Sequence, residues 1–483
     1  MQLAKLNTLR AHLAFARAAV FFFFMIEGYY NAIWSVYLPL QQEELGISDG
    51  MTGAASLFNY GGQVVSTFAT APLLRWVGAR NSVLAGALMF CCSMFFIPLA
   101  HTFSELCVVF AIFGTTEGVM DVSMNANAVL TEAVAGRPLL GAYHGSYSVA
   151  AAIGGLIGGA FVNRGVDQQV AYSASGGIGI AFTLLSFLQL YSINEEVELT
   201  AESNDKIPKT TTSNSQTPSV NNYSGLASVS GSSEVGASAS MPMPNMMMES
   251  TDKQITSESI PGENASPLGA LAALAAVGFL AAAGEGAVVT WVTIWFTRSF
   301  SSAPGGLFSI GFTSFMSCMA LGRFCCDSLR QLIGRRTMFK IAGLLACVGV
   351  CIIALAPSML PEPSSLYVSC FGCSVTGLGL STLIPTVFSS AGHLPNVHPG
   401  TAISRVAFFT YAGSIVSPPL IGALSDAFQS LQLGFIVLAV MLALITPLGS
   451  KVPPESPRAT NTPGDHSQSD HESENLHTPL LPK

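Results

Sequence analysis

Twelve long apolar stretches, divided six and six by a polar insert of roughly 70 residues, constrain this chain more than any other feature. The hydrocarbon core of a bilayer is about 30 Å thick, and a helix rising about 1.5 Å per residue crosses it with about 20 mainly apolar residues. The stretches fall near residues 14–40, 51–74, 80–100, 104–130, 139–162 and 171–192, then 267–297, 304–327, 336–357, 365–392, 400–423 and 429–449. In lipid every backbone amide must find its partner inside the protein, which leaves helical bundles or closed barrels. These runs are too long, and alternate too weakly, to be barrel strands. The expected fold is therefore an all-α membrane protein of twelve transmembrane helices in two pseudo-symmetric six-helix halves. Composition agrees: 50% of residues are hydrophobic and 10% charged, where soluble domains carry about 25% charged residues.

The first half is expected over 1–192, a linker over 193–266, the second half over 267–450 and a tail over 451–483. The linker is rich in Ser, Thr, Asn, Pro and Met and opens with the acids Glu195, Glu196 and Glu198. It has too little apolar surface to offset chain entropy and is expected to be disordered. The tail is similar, with Ser456-Pro457, Thr462-Pro463 and Thr478-Pro479 as candidate phosphorylation sites. If the N-terminus is cytoplasmic, Arg164 and Arg298 are the only two of the 20 Lys and Arg on the far side. The bias is read from short loops, so Lys206, Lys209 and Lys253 of the linker are set aside, and the rest still place linker and both termini in the cytosol. In that orientation the sequons at Asn222 and Asn264 stay unmodified.

Other function classes find little support. The net charge of −8 lies largely in linker and tail, and no nucleic-acid footprint is present. Cys370 and Cys373 form a CxxC inside an apolar helix, where small packing residues are the simpler reading. There is no nucleophile elbow, phosphate loop or metal-binding spacing. His393 and His398 fall in a loop, and Gly377-Leu378-Gly379 falls inside a membrane helix. The expectation is a protein that is not an enzyme and uses no cofactor or metal.

Traces of an internal repeat run through the two halves. Gly136 aligns with Gly400 and Leu156-Ile157-Gly158 with Leu420-Ile421-Gly422, at a constant offset of 264. Glu27-Gly28 in the first span matches Glu285-Gly286 in the seventh, with Trp34 and Trp291 about two turns later. Gly78-Ala79-Arg80 corresponds to Gly334-Arg335-Arg336. Parallel repeats of this kind place a central cavity between the halves, near the bilayer midplane.

The chemistry sits in intramembrane ionisable groups. An Asp or Lys at a helix centre costs about 2.5–3.5 kcal/mol on insertion scales, so such groups face a cavity or a partner. Asp121, Glu117, Glu27, Glu285 and His144 lie at these depths and are the candidates for proton coupling. Glu117, Asp121 and Asn125 step by four along one helix face. Two carboxylates one turn apart repel when both are charged, so the pair is expected to hold a proton between them. Glu27, Asn31 and Trp34 share a face of the first span, and His144, Tyr147 and Ser148 a face of the fifth. Asn31, Trp34, Asn59, Gln63, Asn125, Tyr147 and Trp291 are the candidates for lining a cavity, since aromatic faces beside hydrogen-bonding groups suit a small polar organic solute. For Glu27, Glu285 and His144 a purely structural role stands beside the functional one, and for the aromatic residues packing is the default.

Gly322-Arg323-Phe324-Cys325-Cys326-Asp327, followed by Arg330 and Gly334-Arg335-Arg336, resembles the loop signature of the major facilitator superfamily in its second-half position. A closer similarity is to the fucose-permease-like branch and neighbouring uncharacterised bacterial inner-membrane transporters. It is carried by Leu38-Pro39, Asp121 to Asn125, Arg137-Pro138 and His144-Gly145, then by Glu285-Gly286 with Trp291, Gly377-Leu378-Gly379-Leu380 to Pro385, and Pro399-Gly400 through Pro418-Pro419-Leu420-Ile421-Gly422. The resemblance implies a monomeric secondary active transporter in a lipid bilayer, moving a sugar-like or similar small solute by alternating access with a proton as coupling ion. It also implies a cytoplasmic latch of Gly322, Arg323, Asp327, Arg330, Gly334, Arg335 and Arg336, in which a carboxylate meets guanidinium groups or a helix N-terminus. Two departures bear on this. The first-half loop Pro72 to Arg80 lacks the acidic residue of the motif, and Ser35 stands where fucose permease has an acid linked to proton coupling. The span bearing Gly154, Gly155, Gly158 and Gly159 lacks the antiporter-type proline, which favours uptake over efflux. A proton-coupled efflux antiporter and a non-transporting solute receptor remain the alternatives.

Overall fold

The computed structural model describes residues 2–137, 139–191, 267–300, 307–394 and 397–452, with side chains described from residue 12 onward apart from 399. The expected linker, its acidic run and sequons, and all but the first two residues of the expected tail, with its Ser-Pro and Thr-Pro sites, lie outside the described residues. Regular structure among them is helical throughout. The first half comprises α1 (Gln2–Leu45), α2 (Asp49–Ser93), a 3₁₀ turn at Ile97–Leu99, α3 (Phe103–Ala135), α4 (Leu140–Asn163) and α5 (Gln168–Phe187). The second comprises α6 (Pro267–Ser299), α7 (Ser309–Ile333), α8 (Arg335–Met359), α9 (Ser364–Ser381), α10 (Leu383–Gly392), α11 (Pro399–Phe428), α12 (Leu431–Ala443) and α13 (Ile445–Gly449).

Local chemistry sets the helix boundaries. Ser48 caps α2 by accepting from the Met51 amide, and Thr102 and Glu105 form a reciprocal capping box at the start of α3. Gly136 ends α3 in the left-handed conformation at φ 64, ψ 23. The Glu132 carboxylate then accepts from the Leu139 and Leu140 amides at 2.8 and 3.0 Å, supplying the first turn of α4 with an acceptor.

Ten helices among the described residues are long and apolar enough to cross a membrane. The difference from the expected twelve has two sources. Gly78, at φ 79 and ψ 166, breaks the 45-residue α2 into two lengths within one continuous run. The 25-residue α7 is long enough to cross, but serines together with Arg323, Asp327 and Arg330 reduce its apolar content.

The two halves repeat each other in detail. α1 packs along α4 as α6 packs along α11, and α2 lies along α3 as α7 and α8 lie along α9. Gly78 and Gly334, at φ 79, ψ 166 and φ 75, ψ 155, make the same turn, a conformation that disfavours any residue with a Cβ. Just beyond each turn an arginine ties the loop to the end of its own half: Arg80 donates to the Phe187 carbonyl at 3.2 Å, and Arg336 donates to the Val452 carbonyl. The Glu-Gly pairs mark the crossings. A Cβ on Gly28 would stand 2.1 Å from the Tyr147 carbonyl oxygen on α4, and one on Gly286 would stand 3.4 Å from Ser414 Cα on α11. The halves meet along α4 with α7, α2 with α11, and α1 with α6.

Candidate functional site

Where the halves meet, midway along the helices, the structure gathers ionisable side chains from both. From the first half, Asn31 Nδ2 donates to Glu117 Oε1 at 2.7 Å, joining α1 to α3. One turn along α3, Asn125 Nδ2 donates to Asp121 Oδ1 at 2.8 Å, and also to the Asp121 carbonyl at 2.9 Å. Glu27, Asn31 and Glu117 are 6%, 7% and 5% exposed, depths at which a carboxylate without a partner is costly. Glu27 lies within electrostatic reach of Asp121, Glu117, Arg323 and Glu285 at once.

The second half answers with one cation. Arg323 Nη2 donates to Glu285 Oε1 at 2.9 Å, an ion pair whose side chains are 10% and 19% exposed. Its Nη1 crosses to the first half, donating to Ser148 Oγ at 2.7 Å and to the His144 carbonyl at 3.5 Å, while its guanidinium carbon lies 5.8 Å from the centre of the Tyr147 ring. The His144 ring stands edge-on to Phe24 with centroids 5.0 Å apart. Tyr60 lies within reach of the charges of Glu117 and Glu285, and Tyr411 within reach of those of Asp121 and Glu27. These two tyrosines were missed from sequence. Each lies within a predicted span close to another aromatic, Tyr60 after Phe58 and Tyr411 after Phe408 and Phe409, and nothing in such a pattern separates a cavity wall from ordinary core.

Several expected cavity residues take structural positions. Trp291 is fully buried and its Nε1 donates to the Pro418 carbonyl at 3.2 Å within its own half. Trp34 is fully buried against Phe110, with ring centroids 5.7 Å apart. Asn59 is buried where α2 crosses α3 at Gly114, and Gln63 crosses the same helix at Gly118.

The expected latch set divides. Arg336 is tied to Val452 and Arg330 to Ser389, both within the second half. Gly322 sits against Ser381, Arg335 is buried, and Gly334 makes the turn already described. Arg323 belongs to the central group rather than to the loop: a guanidinium on a long stem reaches well along the helix from its own Cα. Asp327 pairs with Arg330 at 3.7 Å and faces the other half, its Oδ2 lying 3.9 Å from where a Cβ on Gly141 would stand, in the first turn of α4.

The strongest polar link between the halves lies at the opposite end, and sequence reading did not assign it. Arg298, at the end of α6, grips Asp49 through two hydrogen bonds of 2.6 and 2.8 Å and donates to Gln42 at 3.0 Å. Ser425 donates to the same Asp49 carboxylate. Alongside, Asp426 accepts from Ser48 Oγ at 2.6 Å and from the Gly50 amide at 2.9 Å. The signal available was Arg298 itself, one of only two basic residues assigned to that side. Nearer the middle, Ser35 Oγ donates to the Val289 carbonyl at 2.6 Å, joining α1 to α6.

Known proteins agree with this architecture. The family model described as Major Facilitator Superfamily matches residues 16–248 and 274–482. An uncharacterised MFS-type transporter of Yersinia pestis is 23% identical over 87% of this chain and 92% of its own length. The uncharacterised transporter y4wD of Sinorhizobium fredii is 24% identical over 88% of this chain and 95% of its own. Among solved structures, the nucleoside transporter NupG superposes with a TM-score of 0.60 at 12% identity, covering 91% of this chain and 98% of that one. A bacterial homologue of the human lysosomal transporter Spinster, in an inward-facing and unoccupied conformation, superposes with a TM-score of 0.61 at 11% identity, covering 91% and 96%.

Proposed function

The chain belongs to the Major Facilitator Superfamily and is a multi-pass membrane transporter, and from that premise we propose that it moves a small polar organic solute by alternating access, coupled to protons. The observation that carries this reading is the polar group at the seam: four carboxylates, Glu27, Glu117, Asp121 and Glu285, with one guanidinium, Arg323, contributed by both halves. Groups this costly to bury are retained in membrane helices for ion and substrate pathways. A site built from two bodies is also one that their relative motion can open or close.

Asp121 is the proposed proton carrier, with Glu117 one turn away. Each holds an asparagine on one oxygen, which leaves the other able to take up and release a proton. Glu285 is occupied by Arg323, which assigns it to holding the second half's cation in place. His144 offers its carbonyl to Arg323, and its imidazole serves as an aromatic wall beside Phe24. The excess of basic residues supports cytoplasmic termini, with the Asp49–Arg298 cluster on the outer side. The working unit is proposed to be a monomer.

The test is reconstitution of the full chain in liposomes with a metabolite mixture, with and without an inward proton gradient. Gradient-driven accumulation of a solute, lost in Asp121→Asn, is the expected result. Accumulation that ignores the gradient refutes proton coupling. Saturable binding without flux moves the protein to the receptor class, and gradient-driven extrusion makes it an antiporter.

A further inference from the structure

The central group has a charge imbalance that its own residues do not resolve. Arg323 is already committed, with Nη2 on Glu285 and Nη1 on Ser148. Among the described residues no basic side chain forms an ion pair with Glu27, Glu117 or Asp121. Glu117 and Asp121 each have an asparagine amide as hydrogen-bond donor. Glu27 has none: its side chain is deeply buried yet forms no hydrogen bond with any described residue, the one bond at this residue being made by its backbone carbonyl to Asn31.

A carboxylate so deeply placed and without a donor is strongly unfavourable in its charged form, so it either holds a proton or is met by positive charge or a hydrogen-bond donor when solute is bound. The charged groups that act on it most are three acids, Asp121, Glu117 and Glu285, and one base, Arg323. Two tyrosines, one from each half, share its electrostatic neighbourhood. Tyr147 of α4 lies within range of Glu27, Glu117 and Glu285, and Tyr411 of α11 within range of Glu27 and Asp121. Carboxylates interleaved with aromatic rings complement an organic cation, because the ring faces and the acids both attract positive charge.

We propose that the transported solute carries its positive charge on nitrogen, as a protonated amine or quaternary ammonium, and that Glu27 is its counter-ion, with Asp121 beside it and Tyr147 and Tyr411 as aromatic walls. The proposal rests on the transporter reading for the place where solute binds, and it narrows that reading from polar solutes in general to cations. It also divides the roles among the acids, with Glu27 serving the solute, Asp121 and Glu117 the proton, and Glu285 the Arg323 guanidinium.

The experiment uses the full chain in lipid nanodiscs and matched probes differing in charge. These are choline against the neutral alcohol in which carbon replaces its nitrogen, and glucosamine against glucose, with gluconate as the anionic arm. Binding is read as protection from thermal unfolding, titrated to saturation. The expected result is that at least one cation binds about tenfold or more tightly than its neutral partner. Glu27→Gln is expected to abolish that preference, bringing each cation and its neutral partner to similar affinities, and Glu27→Asp to retain it. Neutral or anionic probes binding as well as the cations, no cation binding at all, or unaltered cation preference in Glu27→Gln each overturn the proposal. If Glu27→Gln does not fold, the wild-type comparison of probes still decides. Flux assays on the same probes separate the two readings: cation binding without flux removes transport and keeps charge selection, whereas flux of a neutral solute keeps transport and removes charge selection.

Discussion

Two contacts among single residues hold buried charge in the central group. Asn31 gives Glu117 its hydrogen bond at 2.7 Å, and a bond to a charged group contributes about 1.5–3 kcal/mol. Asn31→Ala is expected to destabilise the purified protein by about that amount, read as a lowered denaturation midpoint at neutral pH. The Arg323–Glu285 pair is more sensitive, because removing one partner strands a buried charge. Arg323→Gln or Glu285→Gln alone is expected to lose about 3–5 kcal/mol, and the double substitution to recover most of it, as a double-mutant cycle would measure. The sequence hid both of these relationships, which join residues on different helices, and displayed a third. Asp121 and Asn125 are four apart on a helix, so their contact follows from periodicity. Arg323 and Glu285 lie on different helices, and the nearest acid in sequence, Asp327, made Arg323 look like a loop residue.

For the helices, close backbone approach decides how α1 meets α4. A Cβ on Gly28 would fall 2.1 Å from the Tyr147 carbonyl oxygen, whereas one on Gly61 meets nothing within 4 Å. Gly28→Ala must therefore push the two helices apart, at a cost of about 1–3 kcal/mol. Gly61→Ala is expected to be neutral or to stabilise by up to about 1 kcal/mol through helix propensity alone, and thermal unfolding of the two variants makes the comparison. The Asp49–Arg298 cluster ties α2 to α6 and, through Ser425, to α11. Arg298→Gln is expected to lengthen and broaden the distance between spin labels placed at the exposed positions Glu43 and Gln429, measured by pulsed electron resonance. Helix boundaries were largely legible, since apolar length and turn residues are local properties. The cluster was not, because Asp49, Arg298 and Ser425 are brought together only by the tertiary fold.

At the scale of the whole molecule, the expected orientation places the α8–α9 turn outside and the loop near Arg75 inside. In a cysteine-free background, a membrane-impermeant maleimide added to intact cells is expected to label Glu362→Cys and to spare Arg75→Cys until the membrane is broken. The reverse pattern inverts the topology. The repeat was readable in outline from Glu-Gly, Gly-Ala-Arg and Gly-Arg-Arg, and the structure turns those letters into geometry, with Gly78 and Gly334 sharing one backbone turn. The seam itself was less readable, because a residue facing the other half has the same composition as one facing its own. One contact across that seam constrains any motion between the halves. The hydroxyl of Ser35 is wholly enclosed and spends its proton on the Val289 carbonyl at 2.6 Å. Sliding α1 along α6 would take the hydroxyl away from both its partners, the Val289 carbonyl and the Thr293 hydroxyl at 3.2 Å, in a dry environment, whereas tilting one helix about that point would leave them joined. The contact thus favours a fulcrum over a sliding plane, so that whatever parts the bundle at one mouth draws it together at the other.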